Sequence, residues 1–160
     1  MEKNFDKKGL NWIEKRAIEA LAIVPVIKAV SQRIGKDEAL AILKEVNQHE
    51  AFQRGQNMVK TEGQNGIEEL VNEVAGWGEG GMWEMDVLEQ TPTTYFFNVT
   101  CCPYYEKYLK LGLEEFGVGF SCCRDEPFAR GFNPRFELVR TKTIMEGADH
   151  CDFRYYLRAK

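Results

Sequence analysis

The chain has 160 residues, of which 44% are hydrophobic and 29% charged, proportions of a globular protein long enough to bury a sizeable core. Its formal net charge of −4 and the lack of any basic run or RNA-reading motif argue against a nucleic-acid partner. The greasiest stretch, around residues 20–30, carries Pro25 and Lys28 and is too short to span a bilayer, so no membrane contact is expected.

The opening MEKNFDKKG lacks the apolar core of an export signal, and residues 1–10 read as a frayed end. From Asn11 a helix is predicted, with Trp12, Ile13, Ala17, Leu21 and Val24 recurring at helical spacing. Pro25 is expected to kink or stop it, because proline deletes a backbone donor and clashes with the preceding turn, and Gly35 ends the region. Asp37 then caps a second helix with Leu40, Leu43 and Val46 on one face. His49 falls on the same stripe, either as a partly buried helix histidine or as a pocket residue, and Gly55 and Gly63 weaken the stretch beyond it. Ile67, Leu70, Val71, Val74 and Trp77 form the apolar face of a third helix, closed by Gly76 and the run from Gly78 to Gly81. That glycine cluster has neither phosphate-loop spacing nor a following helix, so it reads as a linker turn. It divides one domain, 1–160, into a helical part, 1–80, and a strand-rich part, 81–160.

Trp83, Met85 and Val87 alternate with Glu84 and Asp86 at strand period, Thr91-Pro92 makes a turn, and a second strand covers 94–100. A helix over 103–116, bounded by Gly117, and a helical turn over 125–130 come next. Strands are predicted over 135–143 and 152–158, the last with Phe153, Tyr155 and Leu157 on one side and Asp152, Arg154 and Tyr156 on the other. The fold class is α+β: N-terminal helices packed on a C-terminal, mostly antiparallel four-stranded sheet with a helical crossover.

Five cysteines, an odd number with two adjacent pairs, make a poor disulfide framework and point to a reduced, cytoplasmic protein. Each cysteine site has a carboxylate nearby: Glu106 beside Cys101 and Cys102, Asp125 beside Cys122 and Cys123, and Asp149 and Asp152 around Cys151. Cys102 precedes Pro103, and proline favours the first helical position. Its thiol is therefore expected at a helix N-cap, where free N–H groups and the helix dipole stabilise a thiolate able to act as nucleophile or metal ligand. Cys101, on the opposite strand face, reads as a small buried hydrophobe. Arg140 and Arg154, on neighbouring strands, are candidates to hold a carboxylate, or else surface ion-pair partners. Tyr104, Tyr105, Tyr108, Phe116 and Phe120 read as core. Cys102, Cys122 and Cys151 with His150 make a zinc set on paper, but without any C-x-x-C pair metal is not favoured, and no cofactor is expected.

Several blocks resemble the L-2-amino-thiazoline-4-carboxylic acid hydrolase family: V-T-x-C-P around Cys102, L-G-L-x-E-x-G from Leu111 to Gly117, and C-x-x-D from Cys122 to Asp125. G-F-N-P from Gly131 to Pro134 and the long block R-T-x-T-I-M-E-G-A-D-H-C-D-F-R from Arg140 to Arg154 belong to the same likeness. The ending G-A-D-H-C-D-F-R is similar, more faintly, to vinyl-reductase-type small-molecule-binding domains. The first resemblance implies hydrolytic opening of a small five-membered ring carrying a carboxylate, a step toward L-cysteine. On that reading the catalytic set is Cys102, Cys122, Asp125 and Cys151, with Cys102 as nucleophile or water-positioner and Asp125 as acid, base or amidine partner. Glu106, Asn133, Arg140, Asp149 and Arg154 form the substrate-binding set. The partner is then a small molecule, and a homodimer is compatible with the chain. The rival readings are a non-enzymatic small-ligand sensor using the same pocket and a thiol metal-binding domain.

Overall fold

The computed structural model describes residues 9–59 and 65–159. Most of the expected frayed end, residues 1–8, and Gly63 lie outside the described residues. The element order is α1 (Trp12–Ile34), α2 (Lys36–Asn57), α3 (Ile67–Trp77), β1 (Glu84–Gln90), β2 (Thr94–Cys101), α4 (Pro103–Leu111), α5 (Gly117–Phe120), α6 (Asp125–Phe132), β3 (Phe136–Val139) and β4 (Cys151–Leu157). The chain is α+β, with helices first and an antiparallel sheet at the end.

Helix α1 starts on a reciprocal cap: the Asn11 side chain accepts from the Glu14 N–H at 2.9 Å and the Glu14 carboxylate accepts from the Asn11 N–H at 3.1 Å. Ile13, Ala17, Ala20, Val24 and Ile27 are buried, whereas Leu21 points to solvent. The helix runs through Pro25 instead of stopping there. Pro25 and Leu21 both lie on the exposed side, so the carbonyl that the missing N–H leaves open is on the solvent side of the helix. Helix α2 likewise runs through Gly55, with Gly35 rather than Asp37 at its N-cap. Its buried line is Ala39, Leu43, Asn47, Ala51 and Gly55, one residue every four, so Val46 and His49 face solvent. The repeat of small residues lets α6 cross very close, glycine to backbone: a Cβ on Gly55 would stand 2.3 Å from the Phe128 carbonyl oxygen.

The sheet order is β1-β2-β4-β3, each pair antiparallel. Alternation buries Tyr95, Phe97, Val99, Cys151, Phe153 and Tyr155 on the inner face, beneath α3 and α6. Phe97 and Phe153 stack there with centroids 4.8 Å apart. A second cluster gathers Ala20, Val24, Leu43, Tyr108, Phe116 and Phe120 from α1, α2 and the α4–α5 region. The helix expected over 103–116 ends at Gly112, which takes the left-handed conformation at φ 65° and turns the chain into short helical pieces up to Arg124.

Candidate active site

Between the two clusters lies a cavity of about 90 Å³. Trp12, Trp77, Trp83, Phe128, Phe153 and Met145 supply apolar walls. Cys102, Cys122, Cys151 and Asp125 line it together with Arg16, Arg54, Arg124 and Arg140. Separate chain segments bring in these sulfur atoms and the acid.

Cys102 follows β2 and is the N-cap of α4, with Pro103 at the first helical position. The backbone N–H groups of Tyr105 and Tyr104 face its sulfur and favour the thiolate, but burial outweighs them and pushes the thiol up to about 11. The N-cap geometry expected from Pro103 is present, whereas the thiolate expected from it is not: burial leaves the thiol protonated at neutral pH. The Asp125 carboxylate, and Cys151 once ionised, act in the same direction as burial.

Cys122 comes from the turn leading into α6, and Asp125 is the first residue of that helix. Arg140, one residue beyond β3, donates to the Asp125 carboxylate and, at 2.8 Å, to the Cys122 carbonyl. Its guanidinium lies 5.0 Å over the Phe153 ring. Burial raises the Asp125 carboxyl above the usual carboxylate value, and Arg140 counters the shift. Burial also works against the Arg140 charge, but Asp125 overcomes it and keeps the guanidinium protonated. The Cys122 thiol, buried beside the same carboxylate, is held well above its ordinary value.

Cys151 opens β4 opposite Val99. The segment from Thr141 to His150 is folded by its own polar groups: the Asp152 carboxylate accepts from the Thr141 N–H at 2.8 Å and the Lys142 N–H at 2.6 Å. Thr143 caps the following turn, and the Ile144 N–H donates to the Cys151 sulfur at 3.2 Å. This turn sets Met145 against the cavity, in the space a Cβ on Gly117 would fill. The thiol of Cys151 is raised by burial, with the Ile144 N–H opposing.

Sequence reasoning missed three arginines that complete the lining. Arg16 and Arg124 are buried, and Arg54 lies 4.0 Å over the Trp12 ring and pairs with Glu73. Arg124 donates to the Phe120 carbonyl at 2.6 Å, to Asn47 and to Glu50. The available signal was position: Arg16 sits between Ile13 and Ala17 on the buried line of α1, and Asn47 occupies the buried line of α2. A charged or amide side chain on a core stripe needs an internal partner.

The family model described as L-2-amino-thiazoline-4-carboxylic acid hydrolase matches residues 15–155. The chain belongs to that family. No curated protein matches it. Within this hydrolase-family chain the matched stretch contains every cavity-lining residue named here except Trp12.

Four residues expected at the substrate of an L-2-amino-thiazoline-4-carboxylic acid hydrolase lie elsewhere. Glu106 is exposed and faces the Cys101 thiol at 3.8 Å and Lys110 at 3.9 Å, so Cys101 is partly exposed rather than core. Asn133 is buried but structural: it donates to the Asn65 carbonyl at 2.7 Å and accepts from the Arg135 N–H at 2.9 Å. Asp149 has 83% of its side chain exposed and pairs with His150 at 2.7 Å. Arg154 is on the outer sheet face, bonded to the Phe97 carbonyl at 2.9 Å and to Asn98 at 2.9 Å, because strand alternation puts it opposite Phe153. Arg140 and Arg154 therefore cannot hold one carboxylate between them. Among the described residues no three of His, Cys, Asp and Glu converge in a metal-binding arrangement, and no helix is long and apolar enough to cross a membrane.

Proposed function

We propose that the protein hydrolyses a small cyclic amidine of the thiazoline type that carries a carboxylate, opening the ring at the carbon between nitrogen and sulfur. The observation that carries this reading is the convergence of Cys102, Asp125 and several guanidinium groups on one small, aromatic-walled cavity. Engineered cavities of about 150 Å³ take up benzene, so a cavity of about 90 Å³ suits one small ring after slight widening and excludes peptides and nucleotides. Met145, a flexible thioether on a turn, is the wall best able to give way.

In the proposed sequence the Cys102 sulfur adds to the amidine carbon while its proton passes to the ring nitrogen, relayed by Asp125. Collapse breaks the ring carbon–sulfur bond, the proton returns to the departing sulfur, and Cys102 carries an S-linked isothiourea. Water, deprotonated by Asp125, then adds to the same carbon and expels the Cys102 thiol, leaving the N-carbamoyl derivative of cysteine. One water is consumed and nothing is oxidised or reduced. The N–H groups of Tyr104 and Tyr105 that face the Cys102 sulfur stabilise charge on it as it develops. Because the resting thiol is protonated, attack depends on the bound amidine to accept that proton.

The second reading is a ligand-binding sensor without turnover, favoured by those same protonated, buried thiols. Incubation with L-2-amino-thiazoline-4-carboxylate, with product followed by mass spectrometry, separates the two. The hydrolase reading expects N-carbamoyl-cysteine from the wild type, loss of turnover in Cys102→Ser and Asp125→Asn, and a covalent adduct on Cys102 after acid quenching. Saturable binding with no product would leave the sensor. Turnover that survives Cys102→Ser would transfer the attack to water.

A further inference from the structure

We propose that Arg16 is the carboxylate anchor of the cavity, the residue that separates substrates bearing an acid group from those without one; this rests on the hydrolase reading above. Arg16 lines the cavity and is 6% exposed. A buried guanidinium ordinarily has its donors filled by protein acceptors. Here one bond is made among the described residues, to Glu19 in the next turn of α1. Glu19 has 42% of its side chain exposed, and Arg124, which also holds Glu50, approaches the same carboxylate at 3.5 Å.

Of the other cavity arginines, Arg124 and Arg140 have their donors committed, whereas Arg54 also makes one side-chain bond but is more open, with 21% of its side chain exposed. Arg124 uses its donors on Phe120, Asn47 and Glu50. Arg140 is divided between Asp125 and the Cys122 carbonyl, and Arg54 is held by Glu73 and stacked on Trp12 and Phe128. Glu50 and Asp125 are the anions on the lining, and Glu50 has 52% of its side chain exposed. Glu19 and Glu73, outside the lining, pair with Arg16 and Arg54, so the lining itself carries four guanidiniums against two carboxylates, and Arg16 is the buried one with donors to spare. A carboxylate there would take up the open N–H donors and relieve the Arg16–Arg124 repulsion. Trp12, whose ring centroid lies 5.5 Å from the Arg16 guanidinium carbon, contacts the group without using its donors.

The test compares L-2-amino-thiazoline-4-carboxylate with 2-amino-2-thiazoline, the same ring without the acid, in wild type, Arg16→Met and Arg16→Lys. The readout is the ratio of kcat/KM between the two rings. A charge-assisted hydrogen bond contributes about 1.5–3 kcal/mol, so Arg16→Met should lower the ratio ~10–100-fold, mostly through KM for the acid. Arg16→Lys should recover part of it, since an ammonium keeps the charge and loses the two-pronged geometry. Equal losses on both rings with a lowered melting temperature would make Arg16 a structural residue and overturn the anchor. If Arg16→Met does not fold, an unchanged ratio in Arg16→Lys overturns it. No turnover of either ring by the wild type removes the hydrolase reading instead. Calorimetric binding of the two rings then decides: the anchor survives if the wild type prefers the acid and the variants lose that preference. It falls if the wild type shows no preference or no binding.

Discussion

Arg140 reaches across from the end of β3 to pair with Asp125 inside the cavity, and it also fastens the Cys122 carbonyl at 2.8 Å. Each ion is largely shielded from water by the fold, so removing one strands the other. Arg140→Met should destabilise the protein by about 3–5 kcal/mol. The double change Asp125→Asn with Arg140→Met should cost less than the sum of the single changes. Urea unfolding measures all three, and additive effects under about 1 kcal/mol would show that the pair is not a buried one.

Cys102 should be a slow nucleophile toward iodoacetamide in the empty protein. With its thiol pushed from 9.0 up to about 11, the thiolate fraction at pH 7 is about 100-fold below that of a free cysteine. Alkylation at Cys102 should accelerate roughly tenfold per pH unit from 7 to 10, read by peptide mass mapping. Fast, pH-independent labelling at neutral pH would mean that the N–H groups of α4 prevail over burial.

The same shifts set the stability at high pH. Cys102 and Cys123 both rise from 9.0 to about 11 on folding, burial being the main cause, and Cys122 is raised well above 9.0 for the same reason. Such groups hold their protons in the folded state and lose them in the unfolded state. Their contribution is thus complete below about pH 9 and is lost as pH climbs toward 11. Each group subtracts up to about 1.4 kcal/mol per pH unit across that window. The melting temperature should fall steeply above pH 9, and Cys123→Ala should flatten the slope. A constant melting temperature to pH 10.5 would contradict the burial of these sulfur atoms.

Much of this arrangement is readable in the chain because its signals are local. The alternation of Tyr95, Phe97 and Val99 fixes which strand face is buried, and Cys102-Pro103 marks the start of α4. The departures come where tertiary context decides. Pro25 is tolerated because its side of α1 is wet, and Leu21 gives way to Ala20 because α1 and α2 pack through small residues. Arg140 and Arg154 look equivalent in sequence, yet Arg154 faces away from the cavity. Arg16 is easily overlooked because arginine ordinarily marks a solvent face. Its cue is the apolar company of Ile13 and Ala20, three and four residues away.

Gly131→Ala should be costly although Gly131 does not line the cavity. A Cβ there would stand 2.1 Å from the Phe52 carbonyl oxygen, and helix backbones cannot yield as a side chain end does. The expected loss is about 1–3 kcal/mol, or roughly 2–10 °C in melting temperature. A scanning calorimetry trace that matches the wild type would show that the two helices are not in backbone contact.

That crossing has a reach beyond stability. α2 carries Glu50, Ala51 and Arg54, and α6 carries Asp125 and Phe128, so two parts of the cavity lining hang from two rods touching at Gly55 and Gly131. Prising the rods apart by one methyl group would part them at their pivot. Two missing side chains at that joint thus set how near the cavity-lining residues of the two helices stand to each other.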